Sequence, residues 1–237
     1  MKKNLLFLLL LIVYQSVNAQ FITLEGYISE KAGAPEDLSP LYYRIQIDEL
    51  NKKTTLNLFY DETVQEYIDL FLSSRKKDYL IYRQRSQKFF PFIQRYLETY
   101  NIPLEIKYMA VLESGLSPTA VSPSQAVGLW QFKEKTGAYF GLEINENFDQ
   151  RLDPEQSTIA ACKYLTHLNK NFNNWNLSLL AYNAGPTALR RAIEANYGNE
   201  DYPSLREHLS IPAQRYLPAL VALIYLFENH DYHFSSN

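Results

Sequence analysis

Cysteine occurs once in these 237 residues, at Cys162, so no disulfide can form within the chain. A fold without that staple must be held by its apolar core. Cys162 shares a helical face with Leu165 and Leu168, which predicts a buried thiol acting as a small hydrophobe. Glycine is also sparse, at 8 residues. Apolar residues recur at helical rather than alternating intervals, and no credible run of strands stands out. Internal repeats, low-complexity tracts and long linkers are lacking, which leaves one large domain, or a small module with a medium one. Nor is there an excess of positive charge: 23 Lys and Arg face 26 Asp and Glu, a formal charge of −3. That balance argues against nucleic acid as a partner, because a polyanion needs a basic footprint. The first apolar run, over 5–13, is too short to cross about 30 Å of hydrocarbon as a helix.

What is present begins with an export signal. Lys2 and Lys3 precede the apolar run, and Val17-Asn18-Ala19 fits a small-residue cleavage site, so 1–19 reads as a signal peptide. No cysteine lies near the cut to carry a bacterial lipid anchor. Loss of Lys2 and Lys3 takes the basic count from 23 to 21 against the same 26 acids, a mature charge of −5.

Residues 20–60 are weakly patterned, with turn-forming Lys31-Ala-Gly-Ala-Pro35 and Leu38-Ser-Pro40, and suggest an extended arm. From Asp61 the pattern is helical, through Val64, Tyr67, Ile68, Phe71 and Leu72. Arg75-Lys-Lys77 interrupts it. Separate helices are then predicted over 78–90 and 89–100. In the first, Tyr79, Tyr82, Arg83 and Arg85 read as a solvated face with its aromatics packed inward, rather than as a glycan-contacting surface. Further on, Asp153-Pro154-Glu155-Gln156 has the N-cap, N1 proline and N3 amide of a helix start. Helices over 134–139, 176–184, 187–195 and 213–228 complete an all-α prediction.

The chain is organised around 107–132, KYMAVLESGLSPTAVSPSQAVGLWQF. Glu113 lies on one helical stripe with Ile106, Met109 and Ala110, and Gly115 reads as the left-handed stop of that helix. The last turn is the negative end of the helix dipole, and an apolar stripe strips water from a carboxyl. Both effects favour the protonated acid that general acid catalysis requires. No Asp or Glu follows until Glu134. Common glycosidases use two carboxylates; here the neighbourhood offers one, with neutral Ser122, Ser124, Gln125 and Gln131. Asp149 or Asp153 could still fold back toward it.

Glu113-Ser114-Gly115, Pro118, Ser122, Ala126 and Gly128-Leu129-Trp130-Gln131, followed by Thr136-Gly137 and Ala181-Tyr182-Asn183-Ala184-Gly185, resemble the signature of lytic transglycosylases. These form the lysozyme-like glycoside hydrolase family 23, or SLT domain. With Trp130 before Gln131, the chain is similar to the membrane-bound lytic murein transglycosylase D branch. The resemblance covers roughly residues 89–226. It implies an all-α, lysozyme-like catalytic domain over 89–237, preceded by a partly helical extension over 20–88. It also implies cleavage of the β-1,4 bond between N-acetylmuramic acid and N-acetylglucosamine in peptidoglycan strands, leaving a 1,6-anhydro end. No cofactor or metal is called for. Glu113 matches the acid/base and Ser122 a serine near it. Gln131 matches a glutamine of the sugar cleft, Tyr182 a tyrosine that orients the glutamate or the N-acetyl group, and Asn183 its neighbour. Trp130 is expected in the pocket wall. The alternatives are a lysozyme-like hydrolase and an inactive glycan-binding module. Export to the periplasm of a Gram-negative cell is the implied location, with loose association with membrane or wall machinery left open.

Three departures from the pattern stand out. Gln125 occupies a position commonly glycine, and Lys133 one usually apolar in soluble members. Pro212 falls where a P-x-E-T-x-x-Y-V segment would place its glutamate, if Tyr216 aligns. His230 and His233, with Glu228 and Asp231, lack the tight spacing of metal ligands.

Overall fold

The computed structural model describes residues 40–234. The predicted signal peptide 1–19 and residues 20–39 of the expected arm lie outside the described residues. The chain divides after Ile45 into two compact units, and the core and site described below lie in the second, from Gln46 onward. The stretch expected to be extended contains a helix, α1, Pro40–Asn51. Pro40, read as turn-forming, instead opens it, since proline's fixed φ suits a first helical position.

Ten further α-helices follow among the described residues: α2 Glu62–Leu72, α3 Lys76–Thr99, α4 Lys107–Ser114, α5 Glu134–Tyr139, α6 Pro154–Phe172, α7 Trp175–Ala184, α8 Pro186–Ala195, α9 Tyr202–Leu205, α10 Ile211–Glu228 and α11 His230–Phe234. Extended structure among the described residues is a two-strand ribbon, Ile144–Asn145 against Phe148–Asp149, with two bridges that join Val127 to Val121 and Phe132. The prediction of an all-α chain is met.

The caps explain where the helices start. Asp61 accepts from the Val64 N–H at 2.8 Å to open α2, and Asp153 accepts from Glu155 and Gln156 at 2.8 and 2.9 Å to open α6. One prediction fails here. The two helices expected over 78–90 and 89–100 are one, α3, which runs through Pro91. Pro91 is exposed while Phe89, Phe90, Ile93 and Leu97 are buried. The inward face therefore continues past the lost N–H. The expected boundary between extension and catalytic domain, at 88/89, falls inside this helix.

The core is centred on α10. From Tyr216 to Phe227 every residue is buried, so it is apolar on all sides, as a helix enclosed by others must be. It packs against α2, α4 and α7. The acid-bearing helix α4 is thus held against the centre of the body. Tyr225 and Tyr79 hydrogen-bond His233 and His230 at 2.8 and 3.0 Å, so both histidines sit in aromatic packing. Cys162 is fully buried, and burial pushes its thiol up to about 12.

Candidate active site

Helix α4 stops where the sequence indicates. Gly115 has φ +59° and ψ +32°, and its N–H returns to the carbonyls of Ala110 and Val111. A side chain there would meet the Tyr82 ring at 2.5 Å, so α3 lies directly on this turn. Arg85 Nη1 donates to the Gly115 carbonyl at 2.8 Å. Ile106, Met109 and Ala110, the stripe shared with Glu113, are wholly buried.

The loop that follows is held by its own backbone. Ser114 Oγ donates to the Leu129 carbonyl at 2.9 Å, tying α4 to the loop's far end. Gln131 Nε2 donates to the carbonyls of Gly128 and Ala120 at 2.9 and 3.2 Å. Gly128, at φ +86°, passes so near the Arg151 carbonyl that a Cβ would stand 1.9 Å from its oxygen. Gln125 adopts φ +62°. The departure from glycine therefore leaves the left-handed turn in place, at a cost of about 1–2 kcal/mol.

Two lobes of a cleft, about 520 and 500 Å³, meet at Glu113, Ser122 and Gln131. The first is lined by Lys133, Tyr164, Tyr182, Asn183 and Gly185. The second runs between α2, α3 and α10, past Tyr67, Arg75, Tyr82 and Ala219. All five site residues read from the sequence thus line one cleft. Glu113 is the one carboxyl among its lining residues. Asp149 is turned to Arg151 at 2.7 Å and Asp153 caps α6; neither folds back.

Glu113 is half-buried by surface area because it opens on the cleft, yet protein replaces water around most of it. Burial pushes its carboxyl up to about 7, opposed by a hydrogen bond from Tyr216 Oη to Oε1 at 2.6 Å. Burial and the adjacent Glu113 hold the Tyr216 phenol well above its usual range, so it stays a donor. With Oε1 accepting from Tyr216, Oε2 is left to carry the acid proton.

The resemblance gives Tyr182 as a tyrosine that orients the glutamate or the N-acetyl group; the phenol bonded to Glu113 is Tyr216. Tyr182 Oη donates to the Trp130 carbonyl at 2.8 Å, fixing the loop against α7, and its ring packs tilted against Tyr164 with centroids 4.9 Å apart. Ser122 Oγ accepts from the Ala126 N–H at 3.0 Å and meets Ser124 Oγ at 3.1 Å, so here it shapes the loop. Asn183 is exposed in the first lobe. Trp130 does not line the cleft: its ring is fully buried and Nε1 donates to Thr158 Oγ1 at 2.9 Å. An indole needs one acceptor, and α6 supplies it inside the core. Tyr82, read as packed inward, is in the cleft wall. Sequence reasoning missed Tyr216, Arg85 and Tyr82 as neighbours of the acid. Tyr216 is 103 positions from Glu113, and its spacing in α10 marks a core helix only.

A nearly all-helical body with a single half-buried carboxyl in an open cleft is a lysozyme-like protein. Solved structures carry the same fold. The 70 kDa soluble lytic transglycosylase of Escherichia coli superposes with a TM-score of 0.53 at 21% identity, covering 88% of this chain and 34% of that one. A complex of the 70 kDa soluble lytic transglycosylase with bulgecin A gives 0.57 at 19%, covering 90% and 34%. Residues 91–205 match the transglycosylase SLT domain family, and this part of the chain belongs to it. It is 32% identical over 187 residues to the membrane-bound lytic murein transglycosylase D of Escherichia coli K12. That alignment covers 77% of this chain but only 40% of the relative, so the chain spans about two fifths of the relative's length. Among the described residues, no helix is long and apolar enough to cross a membrane.

Proposed function

We propose that this chain is a peptidoglycan lytic transglycosylase, exported through the leader 1–19 and acting in the cell envelope on the muramic acid–glucosamine β-1,4 bond. The observation that carries the reading is Glu113 itself: one carboxyl, its pKa raised to about 7, with no second acid lining the cleft among the described residues. The similarity to named lytic murein transglycosylases supports it.

Protonated Glu113 donates from Oε2 to the bridging oxygen. The C1–O bond breaks, and its electron pair leaves with the glucosamine hydroxyl. Positive charge at the muramic C1 is met by the sugar's own acetamido oxygen, which takes the place of a second carboxylate. The C6 hydroxyl then attacks C1 and returns its proton to Glu113, closing the 1,6-anhydro ring without consuming water. One group serves as acid and then as base, which suits a pKa near neutrality. Tyr216 steadies the carboxylate between the two steps. Ser122, Gln131, Tyr182 and Asn183 shape the sugar-binding surface.

The test is mass spectrometry of purified sacculi digested by the parent and by Glu113→Gln. Anhydro-ended fragments from the parent alone are expected. Reducing ends would make the chain a hydrolase, and digestion by the variant would remove Glu113 from its role.

A further inference from the structure

The second lobe has a wall that the signature segments do not supply. Tyr67 and Phe71 come from α2, Arg75 from the turn after it, and Tyr82 from α3. Arg75 is oriented from three directions. Its guanidinium lies 5.8 Å from the Phe71 ring centroid, Nε donates to Asp78 Oδ2 at 2.7 Å, and Nη2 donates to Tyr82 Oη at 3.4 Å. A guanidinium has five N–H donors in a rigid, planar fork. Among the described residues, no acceptor meets Nη1. The Arg75 side chain keeps 48% of its surface exposed and Asp78 keeps 42%. A solvated pair of that kind is weakly coupled, so Asp78 aims the fork without saturating it. Among the described residues, Glu113 is the only acidic one lining this lobe.

We propose that the second lobe takes a carboxylate-bearing portion of the glycan strand, and that Arg75 is the residue that selects for it. This rests on the peptidoglycan reading above. The strand offers carboxylates from two sources: the lactyl group of muramic acid where a stem peptide has been removed, and the stem peptide itself. Either presents two planar oxygens that match the open Nη edge. Arg75 touches none of the reacting atoms, so its loss weakens strand binding and leaves bond cleavage intact.

The experiment compares the parent with Arg75→Gln on four substrates: stem-bearing strands, amidase-stripped strands, and each after carbodiimide amidation of its carboxylates. For the parent, amidation raises KM about tenfold, as expected for loss of a charge-assisted hydrogen bond. For Arg75→Gln, KM on native strands is already raised about tenfold, amidation adds nothing, and kcat changes less than twofold. An effect on stripped strands alone identifies the lactyl carboxylate; on stem-bearing strands alone, the stem. Arg75→Lys restores part of the discrimination, having the charge without the planar fork. Equal sensitivity to amidation in parent and Arg75→Gln overturns the proposal, as would a loss in the variant that is the same on native and amidated strands. Calorimetric binding of the same strands to Glu113→Gln, with and without Arg75→Gln, reads the selection without turnover. Should the parent release no anhydro ends while that binding still discriminates, the reaction assigned above fails and this inference stands.

Discussion

The two lobes that meet at Glu113 are made differently. The first is a motif product: the loop after α4 and the end of α7, mostly neutral, shaped by backbone hydrogen bonds and residues at positive φ. The second is assembled from residues as far apart as Tyr67 and Leu223, and its wall is aromatic with an arginine. A local pattern can specify the first because short-range turns fix it. The second exists only once α2 and α3 have packed against α10 and the end of α4. Their common member is the acid, so a change there should disable both, whereas changes elsewhere should separate them.

The largest effect expected is from Glu113→Gln, which keeps the shape of the side chain but has no proton to cycle. Turnover should fall at least about 10³-fold, measured as anhydro ends released from sacculi. Next is Gly128→Ala. The new Cβ would stand 1.9 Å from the Arg151 carbonyl oxygen in a left-handed backbone. A loss of about 3 kcal/mol is expected, with a melting temperature lower by roughly 6–12 °C. If the first lobe is a rigid backbone construction, that variant should damage it before the second.

Tyr216→Phe comes third. The hydrogen bond from Tyr216 holds the Glu113 pKa down against burial, so its removal should move the alkaline limb of the pH–kcat profile upward. kcat should drop about tenfold, because the carboxylate formed after the first step loses a donor. In the parent that limb should fall as pH rises through about 7, where the acid proton is lost. The same shift has a consequence for stability. The folded-state pKa lies above the 4.5 of a free glutamate carboxyl, so the contribution is fully present below about 4.5 and is lost as pH rises through about 7. Denaturation at pH 5 and pH 8 should differ by on the order of 2–3 kcal/mol from this group, and Glu113→Gln should flatten that slope. The smallest effect is from Gln125→Gly, which relieves a side chain held at φ +62°. A gain of about 0.5–1 kcal/mol in chemical denaturation is expected, with turnover unchanged.

Much of the first lobe was legible in the chain. Gly115 stops α4 and Asp153 caps α6 where their sequence patterns indicate. Ser122, Gln131, Tyr182 and Asn183 all reach one cleft with Glu113. The failures share a cause. Trp130 was expected in the pocket wall and is buried on Thr158; the phenol that bonds Glu113 is Tyr216, while Tyr182 bonds the Trp130 carbonyl. In each case a residue's neighbourhood in the chain was clear, but the partner of its polar atom came from a distant stretch of the chain.

By itself, the sequence determined that this is a helical body without disulfides, and that one glutamate stands on an apolar stripe before a stop. Periodicity and turn chemistry act within a few residues, so they can be read directly. Only the tertiary structure decided which phenol holds that glutamate, and that an arginine after α2 joins its cleft. Those contacts join residues 103 apart for Tyr216 and Glu113. They depend on how buried faces choose their partners, which no local spacing encodes.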